Sequence, residues 1–147
     1  REDVDWVFLV ALPAQARQIK PTLAFNFAAD LPVYATSHVF SGAVDPKRDR
    51  DLNGIRFCDA PWLLRHTELY NDVEKSVKGG QGSYARLYAM GVDSYRLIAR
   101  VKQLEAFPES QIFGTTGALT LDDQRRIHRK TECTRFRSGE PVQLAIE

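Results

Sequence analysis

Val4-Asp5-Trp6-Val7-Phe8-Leu9-Val10-Ala11-Leu12, stopped by Pro13, decides the fold. Only Asp5 interrupts this apolar run. It is short, rich in β-branched and aromatic residues, and close to continuous rather than alternating. Such a run reads as a strand buried on both faces, as in a parallel sheet. Ala14 to Ala29 follows with helical spacing. Ala16, Ile19, Leu23 and Phe27 fall on one stripe, with a kink or restart expected at Pro21. After Asp30-Leu31-Pro32, Val33 to Thr36 is a second short strand. Strand, helix, strand is one βαβ unit, right-handed by the usual rule.

Further along, Ser37 to Asn53 is loop-like, and Gly54 to Asp59 reads as a third strand, broken by Ala60-Pro61. Trp62 to Lys78 is predicted helical, with Gly79, Gly80 and Gly82 as a flexible stop. Ser83 to Ala106 is the clearest helix, with Ser83 as N-cap. Its stripe is Tyr84, Leu87, Tyr88, Gly91, Tyr95, Ile98, Val101 and Leu104. Gly91 is expected to allow a close helix–sheet approach. Beyond Phe107-Pro108 the sequence reads as antiparallel hairpins: a turn at Gly114 to Gly117, a strand at Ala118 to Leu121, a polar strand from Arg129 to Phe136, and a last strand from Pro141 to Ile146.

Composition narrows the classes of function. The 147 residues carry 20 basic and 19 acidic side chains, a formal charge of +1, so nothing calls for nucleic acid. No apolar run reaches the ~18 residues of a membrane span. The charged start, Arg1-Glu2-Asp3, lacks the pattern of a signal peptide. Cys58 and Cys133 match no zinc or redox spacing, which leaves buried thiols or one disulfide open.

Few residues are placed to carry chemistry. Ser37 and His38 are neighbours on an extended segment and point to opposite sides, and there is no G-x-S-x-G elbow. His38, His66 and His128 are scattered, so no metal site is expected. Asp45, Asp49, Asp51 and Asn53 suggest calcium only loosely, being interrupted by Lys47, Arg48 and Arg50. Gly80-Gln81-Gly82-Ser83-Tyr84-Ala85 matches G-x-G-x-x-A in letters but does not follow a strand. Arg125, Arg126, Arg129, Lys130, Arg135 and Arg137 form a basic stretch: either a solvated edge hairpin or a contact for an acidic partner. Ligands of open α/β sheets sit beyond the C-terminal strand ends. That makes Ser37, His38, Asp59 and Trp62 cleft candidates.

Several longer stretches carry a resemblance. Phe8 to Ala11, Gln15 to Pro21, Pro32-Val33-Tyr34-Ala35-Thr36-Ser37-His38, Asp49-Arg50-Asp51-Leu52-Asn53-Gly54, Phe57 to Leu64, Tyr88 to Tyr95 and Gly114-Thr115-Thr116-Gly117 resemble, in that order, the C-terminal domain of the LpoA (LppC) lipoprotein family. The resemblance implies an α/β fold, three-layer αβα, forming part of a two-lobed type I periplasmic binding-protein-like domain with antiparallel strands near the C-terminus. Residues 1–60 would belong to one lobe and 61–126 to the second, with 127–147 returning towards the first. It implies a non-catalytic regulator of peptidoglycan synthesis. Such a regulator docks to a class A penicillin-binding protein and activates its transpeptidase, with peptidoglycan as a further contact and no cofactor. The implied location is the periplasmic face of the Gram-negative outer membrane, held by a lipid anchor outside this chain. Arg129, Lys130, Arg135 and Arg137 are the candidate partner contacts. In an oxidising periplasm Cys58 and Cys133 are expected to pair, given strands in the same lobe. The alternative is a small-molecule-binding or sensor domain of the solute-binding type.

Overall fold

A computed structural model describes residues 3–77 and 82–144. The chain runs β1 (Val7–Leu9), α1 (Pro13–Phe25), β2 (Val33–Ala35), two 3-10 turns (Ser37–Val39 and Asp49–Leu52) and β3 (Arg56–Asp59). Then come α2 (Pro61–Leu64), α3 (Glu68–Ser76), α4 (Ala85–Ile98), α5 (Val101–Ala106), β4 (Ile112–Phe113), β5 (Ala118–Leu121), β6 (Ile127–Lys130), β7 (Glu132–Arg137) and β8 (Glu140–Gln143). They form two compact units, one of Arg1–Cys58 with Cys133–Glu147, the other of Asp59–Glu132. The chain therefore changes unit after Cys58 and after Glu132, where the sequence reading set the changes at 60 and 126.

The first unit is a five-stranded sheet in the order β1-β2-β3-β7-β8. β1, β2 and β3 are parallel, with Phe8 beside Tyr34 and Tyr34 beside Arg56. β7 descends against β3, as the contacts Ile55–Phe136 and Cys58–Cys133 require, and β8 returns antiparallel to β7. The polar strand expected over Arg129 to Phe136 is in fact two strands in two sheets. It breaks at Thr131, where the chain leaves β5 for β3.

One face of this sheet is packed. Leu9, Val33, Phe57 and Phe136 lie under Ala16 of α1 and under Val39, Phe40 and Leu52 from the turns, all buried. The rings of Phe40, Phe57 and Phe136 stand 5.1–6.1 Å apart, and burying each contributes ~1.5–3 kcal/mol. Arg17 of α1 donates through Nη2 (2.6 Å) and Nε (2.9 Å) to Asp49, which is buried in the second turn. That bond fixes the helix across the sheet and commits the carboxylate the sequence offered to calcium.

The other face is open. Trp6, Phe8, Val10 and Tyr34 are 56%, 60%, 72% and 40% exposed. The expectation that the Val4–Leu12 run is buried on both faces therefore fails: nothing among the described residues lies over its second face. α1 also departs from expectation. It continues through Pro21 as one helix and stops at Phe25. Ala28 N–H donates to Leu23 O and Phe27 N–H to Ala24 O, with Phe27 at φ 60°. This is the Schellman termination, normally built on glycine, and it turns Phe27 off the stripe into solvent.

The second unit centres on α4. The helix expected from Trp62 onward is two, because Thr67 caps α3 by accepting from Tyr70 N–H (3.2 Å). The helix expected from Ser83 is divided between α4 and α5, and the N-cap is Tyr84, with no side-chain bond. α4 buries Ala85, Ala89 and Asp93, while Leu97 packs on the cluster Leu104, Ile112 and Leu119 formed with α5 and the antiparallel sheet β4-β5-β6. The stripe read from the sequence divides: Leu104 lies in that cluster, while the part along α4 faces the other way. Tyr84, Leu87, Tyr88, Gly91 and Tyr95 line an open groove of about 880 Å³ with Leu69, Val73 and Val77 of α3 and its end. A Cβ on Gly91 would touch nothing within 4 Å, so this glycine serves no close helix–sheet approach among the described residues. Gly79 and Gly80 lie outside the described residues.

Candidate functional site

Two of the four residues proposed for a cleft, Asp59 and Trp62, are engaged in the interior. Asp59, at the end of β3, is buried and accepts from Arg86 Nε (3.0 Å), Arg86 Nη2 (2.6 Å) and Ala60 N–H (2.8 Å). A bidentate guanidinium–carboxylate pair of this kind is strong and directional, and here it fixes α4 to the start of the second unit. Trp62 is buried against Tyr70, ring centroids 4.9 Å apart, and its backbone N–H donates to Thr115 O (2.9 Å). Its indole therefore offers no face to a ligand. Asp59 and Trp62 are corrected from cleft lining to internal supports. Ser37 and His38 sit in the 3-10 turn after β2, in the first unit, with His38 exposed. Beside them the buried Thr36 Oγ1 has no hydrogen-bond partner among the described residues.

The basic stretch is also divided. Arg125 pairs with Glu105 (2.5 Å) and Arg126 with Asp122 (2.9 Å). Arg129 and Lys130 are exposed on β6 in the second unit. Arg135 and Arg137 are exposed on β7 in the first unit, on the open sheet face. Asp122 organises the β5–β6 turn, accepting from His128 Nε2 (2.7 Å) and from the N–H groups of Gln124 and Arg126. The His128 bond and then the Arg126 N–H hold its carboxyl far below the usual carboxylate range. Arg65 and Glu132 form a further ion pair inside the second unit. Cys58 and Cys133 are joined in a disulfide between β3 and β7. Among the described residues no three His, Cys, Asp or Glu side chains gather to hold a metal ion.

Sequence reasoning missed a buried carboxylate of the second unit that is bonded through both oxygens. Asp93 of α4 is buried and meets the Gly114–Gly117 loop. Oδ1 accepts from Thr115 N–H (2.7 Å) and Oδ2 from Thr116 N–H (2.8 Å). The Thr116 hydroxyl adds a bond at 2.7 Å, and the Thr115 hydroxyl lies between Asp93 (2.9 Å) and Ala89 O (2.8 Å). Gly114 follows from this packing and Gly117 from the close approach of β6. A Cβ on Gly114 would stand 2.5 Å from Asp93 Oδ2, and one on Gly117, at φ 147°, would collide with the Lys130 carbonyl. The available signal was the small stripe Ala85, Ala89, Asp93, spaced by four, opposite the aromatic one. The arrangement positions backbone; it offers no nucleophile with a base.

Residues 1–139 match the family model described as "LppC putative lipoprotein". The chain belongs to the LppC family. It is 34% identical over 134 residues to the penicillin-binding protein activator LpoA of Vibrio vulnificus, covering 88% of this chain and 22% of that protein. The LpoA (YraM) C-domain from Haemophilus influenzae, described as a regulator of PBP1A, superposes with a TM-score of 0.78 at 27% identity, covering 99% of this chain and 46% of that one. A leucine-binding protein from Thermotoga maritima is similar in fold alone, at 14% identity and a TM-score of 0.55, over 96% of this chain and 44% of that one. The LppC chain described here thus spans about a fifth of the curated relative it matches and has a mixed α/β structure of the periplasmic binding-protein kind. The relatives are named as activators, not as catalysts.

Proposed function

We propose that this chain is part of a non-catalytic regulator of peptidoglycan synthesis. On this reading the regulator docks to a class A penicillin-binding protein and activates its transpeptidase from the periplasmic face of the outer membrane, where a lipid holds it. The observation that carries the reading is the family match across residues 1–139 together with the likeness to the Haemophilus LpoA C-domain over 99% of the chain. The bonding of the polar side chains supports it, since Asp49, Asp59 and Asp93 each serve the interior. The two units are then portions of the two lobes of one domain. We place the partner contact on β6, where Arg129 and Lys130 are exposed on an edge strand. Charges at a rim steer association and set its salt dependence.

The test is binding of the full-length lipoprotein to the periplasmic part of its cognate class A penicillin-binding protein, with transpeptidase rate recorded in parallel. Saturable binding with a faster rate is expected. The double change Arg129→Glu, Lys130→Glu should slow association by about tenfold at low salt. Binding without any change in rate would refute activation, and unaltered association by the double variant would move the contact off β6.

A further inference from the structure

We propose that the outer edge of β6 takes an extended acidic segment of the penicillin-binding protein as a further strand of the β4-β5-β6 sheet. The proposal rests on the activator reading and says how the contact placed on β6 is made. β6 ends its sheet and pairs with β5 on one side. The register fixes which backbone groups are left over. Asp122 N–H donates to Arg126 O. The pairs Thr120–His128 and Ala118–Lys130 lie in the same phase of the ladder, so they too exchange hydrogen bonds. The N–H and C=O groups of Ile127 and Arg129 therefore point away from β5, and among the described residues they have no partner.

An exposed edge is either blunted by charge or used to add a strand. Here a socket of about 380 Å³ lies beside the charge, between β6 and α4, with Met90, Leu97, Leu119, Ile127 and Arg129 in its wall. Ile127 and Arg129 share the sheet face of Leu121 and Leu119, their cross-strand partners. The charges choose the occupant. Arg125, Arg126 and His128 are paired with carboxylates. Arg129 and Lys130 are exposed, and neither is so paired among the described residues. On an antiparallel incoming strand, the residues opposite Lys130 and Arg129 should carry carboxylates, and the one opposite Ile127 should be apolar and lie towards Met90 and Leu97. In the partner's chain direction that is acid, acid, any residue, apolar. A second copy of this chain pairing through the same edge would instead crowd four cations together.

Hydrogen exchange in the full-length lipoprotein tests this. Alone, its Ile127 and Arg129 amides should exchange freely. With the periplasmic part of the cognate class A penicillin-binding protein at saturation, both should slow by at least about tenfold. Ile127→Pro removes one outward N–H at an edge where proline is tolerated, and should weaken binding by at least about tenfold. Phe113 N–H also points away from β5, but on the β4 edge, so Phe113→Pro should leave binding unchanged. Circular dichroism checks that both variants fold, and the exchange of the parent protein decides the matter if either does not. Saturable binding with no slowing at Ile127 and Arg129 would overturn the proposal and leave the activator reading intact, whereas no binding would overturn both. Equal weakening by the two proline changes would mean loss of the sheet and not of one edge, and would overturn it too. Slowing that follows lipoprotein concentration alone would give the edge to a second copy.

Discussion

The two faces of the first unit's sheet are made of the same kind of residue and meet opposite fates. Leu9, Val33, Phe57 and Phe136 point one way and are at most 7% exposed; Trp6, Phe8, Val10 and Tyr34 point the other and are at least 40% exposed. α4 repeats the contrast more sharply. Its buried side is Ala85, Ala89 and Asp93, while its large apolar residues Leu87, Tyr95 and Ile98 face out. Large apolar side chains are ordinarily the buried ones. In both units large apolar side chains are bare among the described residues.

The largest expected effect separates the two sheet faces directly. Phe136→Ala removes a ring 1% exposed and packed between Phe40 and Phe57. It should cost ~3–5 kcal/mol, as large-to-small changes in a closed aromatic core do. Phe8→Ala, on the open face, should change the stability of the 147-residue chain by no more than ~0.5 kcal/mol. Urea denaturation of both variants reads the difference. Equal losses would mean that the open face is packed in solution.

Next in size is the buried carboxylate of the second unit. Asp93→Ala strands the N–H groups of Thr115 and Thr116, and each unsatisfied buried donor costs ~1–3 kcal/mol. A net loss of about 3 kcal/mol is expected. Hydrogen exchange adds a local readout: the Thr115 and Thr116 amides should exchange faster while the Phe57 amide in the first unit keeps its protection. Uniform acceleration in both units would mean that Asp93 supports global stability and not this loop.

Much of the architecture was legible because it follows from period and punctuation. β1, α1, β2 and β3 were readable from the Val4–Leu12 run, the spacing from Ala16 and the breakers Pro13, Pro32 and Pro61. What misled was the inference from side-chain size to side-chain burial. The Tyr84–Ile98 stripe is a true helical stripe, yet the side that packs is Ala85, Ala89 and Asp93, since small residues let backbones approach and hydrophobicity alone does not say which side is covered. Asp59 and Trp62 stood at a strand end, where ligands bind in this class of fold, but no sequence rule told that Arg86, 27 residues on, would occupy the carboxylate. The family resemblance came from contiguous motifs and so survived these local errors.

The smallest effect concerns the end of α1, where backbone geometry and side-chain identity disagree. Phe27 holds the left-handed conformation of a Schellman termination and is fully exposed, at 101%. For an L-residue that conformation costs ~1–2 kcal/mol, and here no burial of the ring compensates. Glycine adopts it freely but loses more conformational entropy on folding. Phe27→Gly should therefore stabilise the first unit by about 1 kcal/mol or less. Phe27→Val should destabilise it, since β-branching makes positive φ harder still. Thermal melts of the two variants against the parent decide the matter by their order. If Phe27→Gly instead lowers the melting temperature, the exposed ring is held by a contact absent from the described residues.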